Sequence, residues 1–194
     1  NVNAKNVSAY AKSKTLAEQS AWDFINNQKD PDPMELTVVN PGPVFGPTLS
    51  GNLEGASMGM VKQIITGKMP MVPQAAINMS DVRDIAKIHV LALENKSASG
   101  KRFIVTTEKP YKFQEMAEIL KTNGYPKVST KLAPNFLLNF MANFNREAKS
   151  MRAFIGKTYS GDVSSTMETF NWKPISFEKT VIDTAKSVDE AMKK

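Results

Sequence analysis

The chain has 194 residues, 41% of them hydrophobic and 23% charged, which is enough apolar material for a real core. It carries no cysteine and a single histidine, which excludes disulfides, thiolate chemistry, sulfur-bound zinc and a multi-histidine metal cluster. The net charge of +6 is dispersed among acidic residues, so neither a nucleic-acid stripe nor more than a mild preference for anions is implied.

In chain order, residues 7–28 read as a helix, with Val7, Tyr10, Lys14, Ala17, Ala21 and Phe24 on one face and "DPDP" as the stop. Ser8 belongs to its start. "MELTVVN" (34–40) is a β-branched run, read as a buried strand and broken sharply by "PGPVFGP" (41–47). A short helix is expected within "SMGMVKQIITG" (57–67). "SDVRDIAKIHVLALEN" (80–95) is the clearest helix: Ser80 is its expected cap, and Asp81 and Asp84 suit the positive end of the dipole. Val82, Ile85, Ala86, His89, Ala92 and Leu93 form its expected apolar face, which makes His89 a core histidine.

"RFIVTT" (102–107) reads as a second strand. "KFQEMAEILKTNGYP" (112–126) is a helix ended by Gly124 and Pro126, and "VSTKLA" is expected to form a short strand. Phe136, Leu137, Phe140, Met141 and Phe144 make a helical stripe in a Phe- and Met-rich segment, expected as core around 136–154, with Phe136 or Phe140 as candidate pocket walls. Trp172 reads as a packing residue, and a final amphipathic helix places Phe177, Val181, Ile182, Ala185 and Val188 on one side. Alternating helices and strands predict an α/β fold with a parallel sheet. No apolar run approaches the roughly 20 residues that span a bilayer.

Tyr10 and Lys14 lie one helical turn apart and can converge on one point. A phenol beside an ammonium is better suited to pass a proton to a carbonyl oxygen at neutral pH. Spacing alone favours the plainer alternative of two ordinary helix residues. The abrupt end of the first strand matters more, because open α/β sheets bind ligands beyond the carboxyl ends of their strands.

In order, "YAKSKTLAEQSAWDF", "ELTVVNPGPVFGP", "SDVRDIAKIHVLALEN", "GKRFIVTT" and "FNWKPISFEKTVIDTAKS" resemble the C-terminal half of extended short-chain dehydrogenases/reductases. The nearest branch is the dihydroflavonol-4-reductase-like one, within the NAD-dependent epimerase/dehydratase superfamily. The resemblance implies the last part of a Rossmann-type doubly wound sheet, residues 1–47 and 80–107, interwoven with a smaller helical substrate lobe, residues 48–79 and 108–194. It implies a cytoplasmic oxidoreductase that reduces a ketone or aldehyde with NADPH, NADH being second choice. Tyr10 would be the acid/base and Lys14 its partner and the holder of the nicotinamide ribose. Pro41 would lie by the nicotinamide and the Val44 backbone would bind its carboxamide. Asp81 and Arg83 fall in a segment linking the two lobes, where a structural role is expected.

The family's Gly-rich pyrophosphate turn and its catalytic serine would lie upstream, so a fragment poor in cofactor binding is expected. Members often pair through the tyrosine helix and its neighbour, which leaves a homodimer open. A nucleotide-sugar epimerase or dehydratase, or a non-catalytic truncated module, are the competing expectations.

Overall fold

The computed structural model describes residues 7–141, 143 and 155–193. Helix α1 (Ala9–Asn26) opens it, with Ser8 as N-cap accepting from the Ala11 amide at 3.1 Å. Strand β1 (Val38–Pro41) runs parallel to β5 (Arg102–Val105), Val38 opposite Arg102 and Pro41 opposite Val105. These are the two strands legible as β-branched runs. Four two-residue strands join them: β2 (Val44–Phe45) pairs in parallel with β4 (Ser80–Asp81), and β3 (Ala76–Ile77) pairs antiparallel with β6 (Tyr111–Lys112). The expected strand at 128–133 reduces to a single bridge between Val72 and Leu132.

Between β1 and β5 the chain makes α2 (Ala56–Ile65) and α3 (Val82–Glu94). After β6 come α4 (Phe113–Thr122), α5 (Asn135–Met141), α6 (Ser164–Phe170) and α7 (Phe177–Ala191). Glycine at 124 takes φ +96° just beyond α4, a backbone conformation that stops a helix at little steric cost. Ser176 caps α7 by accepting from the Lys179 amide.

Two apolar cores organise the described residues. The larger packs α2, α4 and α7 around Phe45, Ile64, Met79, Met116, Leu120, Val181 and Val188. The smaller lies on the β1–β5 pair and holds Ile88, Phe103, Val105, Phe170 and Trp172. Phe103 and Phe170 meet edge to face, with ring centroids 4.6 Å apart.

Several expected faces are displaced. On α1 the half-buried residues are Thr15, Glu18, Ala21, Trp22 and Ile25, while Tyr10, Lys14, Ala17 and Phe24 are exposed. The helix is drawn to the sheet by Glu18, which receives the Arg102 guanidinium at 2.8 Å, so the apolar spacing of its other face finds no core here. On α3 the packed side is Asp84, Ile85, Ile88, Leu91 and Ala92. Val82, Ala86, His89 and Leu93 face outward, and His89 is no core histidine: its Nδ1 lies 2.8 Å from the Ile85 carbonyl on an exposed surface. Two polar anchors, Asp81 and Asp84, rotate the helix away from the face that hydrophobicity alone selects. Phe136 and Phe140 are exposed rather than core, because α5 is a single short helix that neither apolar cluster includes. Phe144 and residues 144–154 lie outside the described residues.

Candidate functional site

The tyrosine helix comes first. Tyr10 sits in the first turn of α1, 73% exposed, and the Lys14 ammonium lies 5.7 Å from its ring centroid, within cation–π reach. The one-turn spacing thus brings the two side chains together. Their partners stay local: the Ser13 hydroxyl donates to the Tyr10 carbonyl at 2.8 Å. Among the described residues, no hydrogen bond, ion pair or ring contact joins Tyr10 or Lys14 to Pro41 or Val44.

The loop 41–47 leaves the carboxyl end of β1 and is fastened along its length. Pro41 is exposed and Val44 half-buried. The Gly42 amide donates to Ser80 Oγ at 2.8 Å, and the Ser80 amide donates to the Pro43 carbonyl at 3.0 Å. A Cβ at Gly42 would stand 2.9 Å from the Asn78 carbonyl and 3.1 Å from Thr106 Cγ2, so no larger residue fits without displacing backbone. Gly46 holds φ +115°, and a Cβ there would meet Val82 Cγ1 at 2.8 Å. Its amide donates to Thr184 Oγ1 at 2.7 Å. One residue before the loop's exposed proline, Asn40 Nδ2 is buried without a partner among the described residues.

Beneath the loop, the start of α3 carries an ionic knot. Asp81 caps the helix, accepting from the Arg83 amide at 2.9 Å. Its carboxylate takes the Arg83 guanidinium in a fork at 2.8 and 2.7 Å and the Thr180 hydroxyl at 2.7 Å. Arg83 reaches on to Asp183 Oδ2 at 2.6 Å, which also receives Lys179 at 2.9 Å. Burial pushes the Asp81 carboxyl up most strongly, but hydrogen bonds from Arg83 and Thr180 together outweigh it and hold the group below its ordinary range. Asp183 is likewise held low: burial opposes this, and Lys179 and Arg83 prevail. Three residues on, Asp84 accepts Trp172 Nε1 at 2.9 Å and the Ile175 amide at 2.8 Å, yet burial dominates and its carboxyl is pushed up.

The cap expected at Ser80 is therefore Asp81. Ser80 instead lies in β4 and spends its hydroxyl on Gly42 and on the Val105 carbonyl. Thr180, Asp183, Thr184 and Ser187 were not singled out by the sequence, although their i, i+3, i+4, i+7 spacing was a readable polar stripe on α7. Among the described residues, no group of three or more acids or histidines could hold a metal. A separate surface hollow of about 450 Å³ is lined by Tyr111, Glu115, Glu118, Ile119 and Phe177, between α4 and the start of α7.

The loop leaves the carboxyl end of a strand in an open α/β sheet, where such folds bind their ligands. The sequence pattern of the NAD dependent epimerase/dehydratase family matches residues 2–106, more than half of the chain. The chain belongs to that family.

Its relatives include the NADPH-dependent methylglyoxal reductase of Saccharomyces cerevisiae, 34% identical over 119 residues, which covers 59% of this chain and 34% of the yeast protein. The cinnamoyl-CoA reductase CAD2 of Medicago truncatula is 35% identical over 112 residues, 58% of this chain and 32% of the plant protein. The crystal structure of Gre2 from Candida albicans in complex with NADPH superposes with a TM-score of 0.67 at 24% identity, over 94% of this chain and 51% of that one. This likeness shows a shared fold, the Rossmann-type α/β architecture. The match thus covers about half the length of that structure, and the aligned segments cover about a third of the yeast and plant relatives. Among the described residues no helix is long and apolar enough to cross a membrane.

Proposed function

We propose that the protein carrying this chain reduces a ketone or aldehyde to an alcohol with NADPH, with NADH as the weaker donor. The observation that carries this reading is the Lys14 ammonium 5.7 Å from the ring of an exposed Tyr10, in a chain of this family. When bound, the nicotinamide supplies the hydride. Tyr10 gives the proton to the carbonyl oxygen, and Lys14 favours that transfer while holding a ribose hydroxyl. Pro41 flanks the ring, and the Val44 backbone holds the carboxamide.

The chain path supports a common site for these residues. Glu18 meets Arg102 at the beginning of β5, and Tyr10 precedes Glu18 by about 12 Å of helical rise. Helix α1 ends at Asn26 and the chain returns through residues 27–37 to the beginning of β1. A helix running against the strands would carry its first turn toward the end where Pro41 emerges, as this reading requires.

The division into a nucleotide part, 1–47 and 80–107, and a substrate lobe, 48–79 and 108–194, belongs to the same reading. The two apolar cores support it, and they interweave: Phe45 packs in the larger, Phe170 and Trp172 in the smaller. A cytoplasmic setting and a homodimer through the tyrosine helix and its neighbour complete the proposal, the latter in keeping with the exposed Leu16 and Phe24 on α1.

The test is NADPH oxidation by the whole protein with methylglyoxal and with aromatic aldehydes, run beside UDP-sugars. Carbonyl-dependent oxidation is expected. Turnover of UDP-sugars alone would assign the epimerase/dehydratase chemistry of the family instead, and no turnover with NADPH unbound would leave a non-catalytic module.

A further inference from the structure

We infer that Ser80 is a positioning residue for the nicotinamide end of the cofactor, acting through loop 41–47; the inference rests on the reductase reading above. Its side chain is withdrawn from water, the residue being 1% exposed. The hydroxyl accepts from the Gly42 amide at 2.8 Å and donates to the Val105 carbonyl, the last residue of β5. The Ser80 amide donates to the Pro43 carbonyl at 3.0 Å, and Ser80 stands opposite Val44 in the β2–β4 pairing. One residue thus ties three consecutive loop residues, Gly42 to Val44, to β4 and to the end of β5.

The attachment is selective. Farther along, Gly46 is held by Thr184 and by the crowded start of α3, and Phe45 is anchored in the larger core. Those contacts survive without the Ser80 hydroxyl. What is released is Gly42, between Pro41 in β1 and Pro43 on the Ser80 amide: its half-buried amide and the buried Val105 carbonyl would both lose the hydroxyl they share. The surroundings of Gly42 are close-packed, with the Asn78 carbonyl 2.9 Å and Thr106 Cγ2 3.1 Å from where a Cβ would lie. Any shift of Gly42 is passed to its neighbours Pro41 and Val44, the residues proposed to hold the nicotinamide end. Binding energy at the reacting end is sensitive to such displacement, since a shift near 1 Å can cost on the order of 100-fold in rate.

The experiment compares Ser80→Ala, Ser80→Thr and Trp172→Phe in the whole protein. It measures kcat and KM for NADPH with methylglyoxal, and the Kd of 2′,5′-ADP, which carries only the adenosine end. Ser80→Ala is expected to lower kcat/KM for NADPH about tenfold or more, with 2′,5′-ADP affinity within about twofold of the parent. Ser80→Thr, which keeps the hydroxyl, is expected to recover most of the loss. Trp172→Phe loosens the buried Asp84 contact without touching the loop, and is expected to leave both affinities in place. Equal weakening of NADPH and 2′,5′-ADP, matched by Trp172→Phe, would overturn the inference in favour of general loosening. Unchanged NADPH kinetics in Ser80→Ala would overturn it directly. Should Ser80→Ala not fold, Ser80→Cys is read by the same criteria. Tyr10→Phe run in parallel separates the two levels: if it abolishes turnover while Ser80→Ala behaves as parent, the reductase reading stands and the Ser80 inference falls. If the parent neither binds NADPH nor turns over, both fall.

Discussion

Arg83→Met removes the centre of the ionic knot at the start of α3. Asp81 then loses the guanidinium fork at 2.8 and 2.7 Å and keeps only its own cap bond and the Thr180 hydroxyl. Asp183 loses a 2.6 Å contact but retains Lys179. Deleting one partner of a fully buried pair costs about 3–5 kcal/mol. Here the Asp81 side chain is 1% exposed, but those of Arg83 and Asp183 are 35% and 21% exposed. Water screens the outer half of the knot, so we expect a loss of about 2–3 kcal/mol. For a chain of this length the unfolding entropy makes that roughly 5–8 °C in Tm.

The pH dependence gives an independent check. Asp81 is held below its ordinary range, so its stabilisation is present above the unfolded carboxyl value near 4 and is lost as pH falls through the lower folded value. Without Arg83, burial is no longer outweighed and that stabilisation becomes a cost of ionisation. The gap between parent and variant is therefore widest near neutral pH and narrows as pH falls, closing below the lowered folded value of Asp81 in the parent. Thermal unfolding at pH 7 and at pH 3.5 reads both effects. A shift under about 1 °C at pH 7, or one of the same size at both pH values, would refute the assignment of Arg83 as the knot's centre.

Trp172→Phe deletes the 2.9 Å indole bond to buried Asp84 and should cost about 1–3 kcal/mol at pH 7 by denaturant unfolding. Asp84 is pushed up by burial, so its ionisation cost is absent below the unfolded carboxyl value near 4 and complete only above the raised folded value; the loss should shrink as pH falls through that raised value toward about 4. Gly46→Ala forces φ +115° on a side chain whose Cβ meets Val82 at 2.8 Å, and should lower stability by about 1–3 kcal/mol or shift the Gly46–Thr184 contact. Parent-like unfolding with an unchanged amide exchange rate at Gly46 would contradict the crowding.

The helices other than α6 (Ser164–Phe170), for which the sequence carried no expectation, and the two longer strands were legible because each is set by local pattern: β-branched runs at 38–41 and 102–105, and a serine cap before α7. Faces were less so. The apolar spacing on α3 selected His89, but the buried hydrogen bonds of Asp84 to Trp172 and Ile175 fix the rotation, and those partners lie about 90 residues away. The face of α1 that contains Tyr10 failed as a core face because the helix is held from its other side by Arg102. The expectation at Ser80 went wrong for a related reason. A serine before a helix reads as a cap, yet the next residue, Asp81, takes that task and frees the hydroxyl for Gly42. The pairing of Tyr10 with Lys14 needs only helical spacing and was readable. The clamps on loop 41–47 come from β4, β5 and α7, so no local window could show them.

The central claim is that Tyr10 delivers the proton, and Tyr10→Phe in the whole protein tests it most directly. The substitution removes one hydroxyl from a residue that is 73% exposed, so the fold and NADPH affinity should be retained. Loss of positioned acid catalysis should lower kcat by about 10²–10⁴-fold. NADPH-dependent carbonyl reduction measured alongside NADPH Kd should show that fall in kcat with Kd within about twofold of the parent. Turnover within about threefold of the parent would contradict the account.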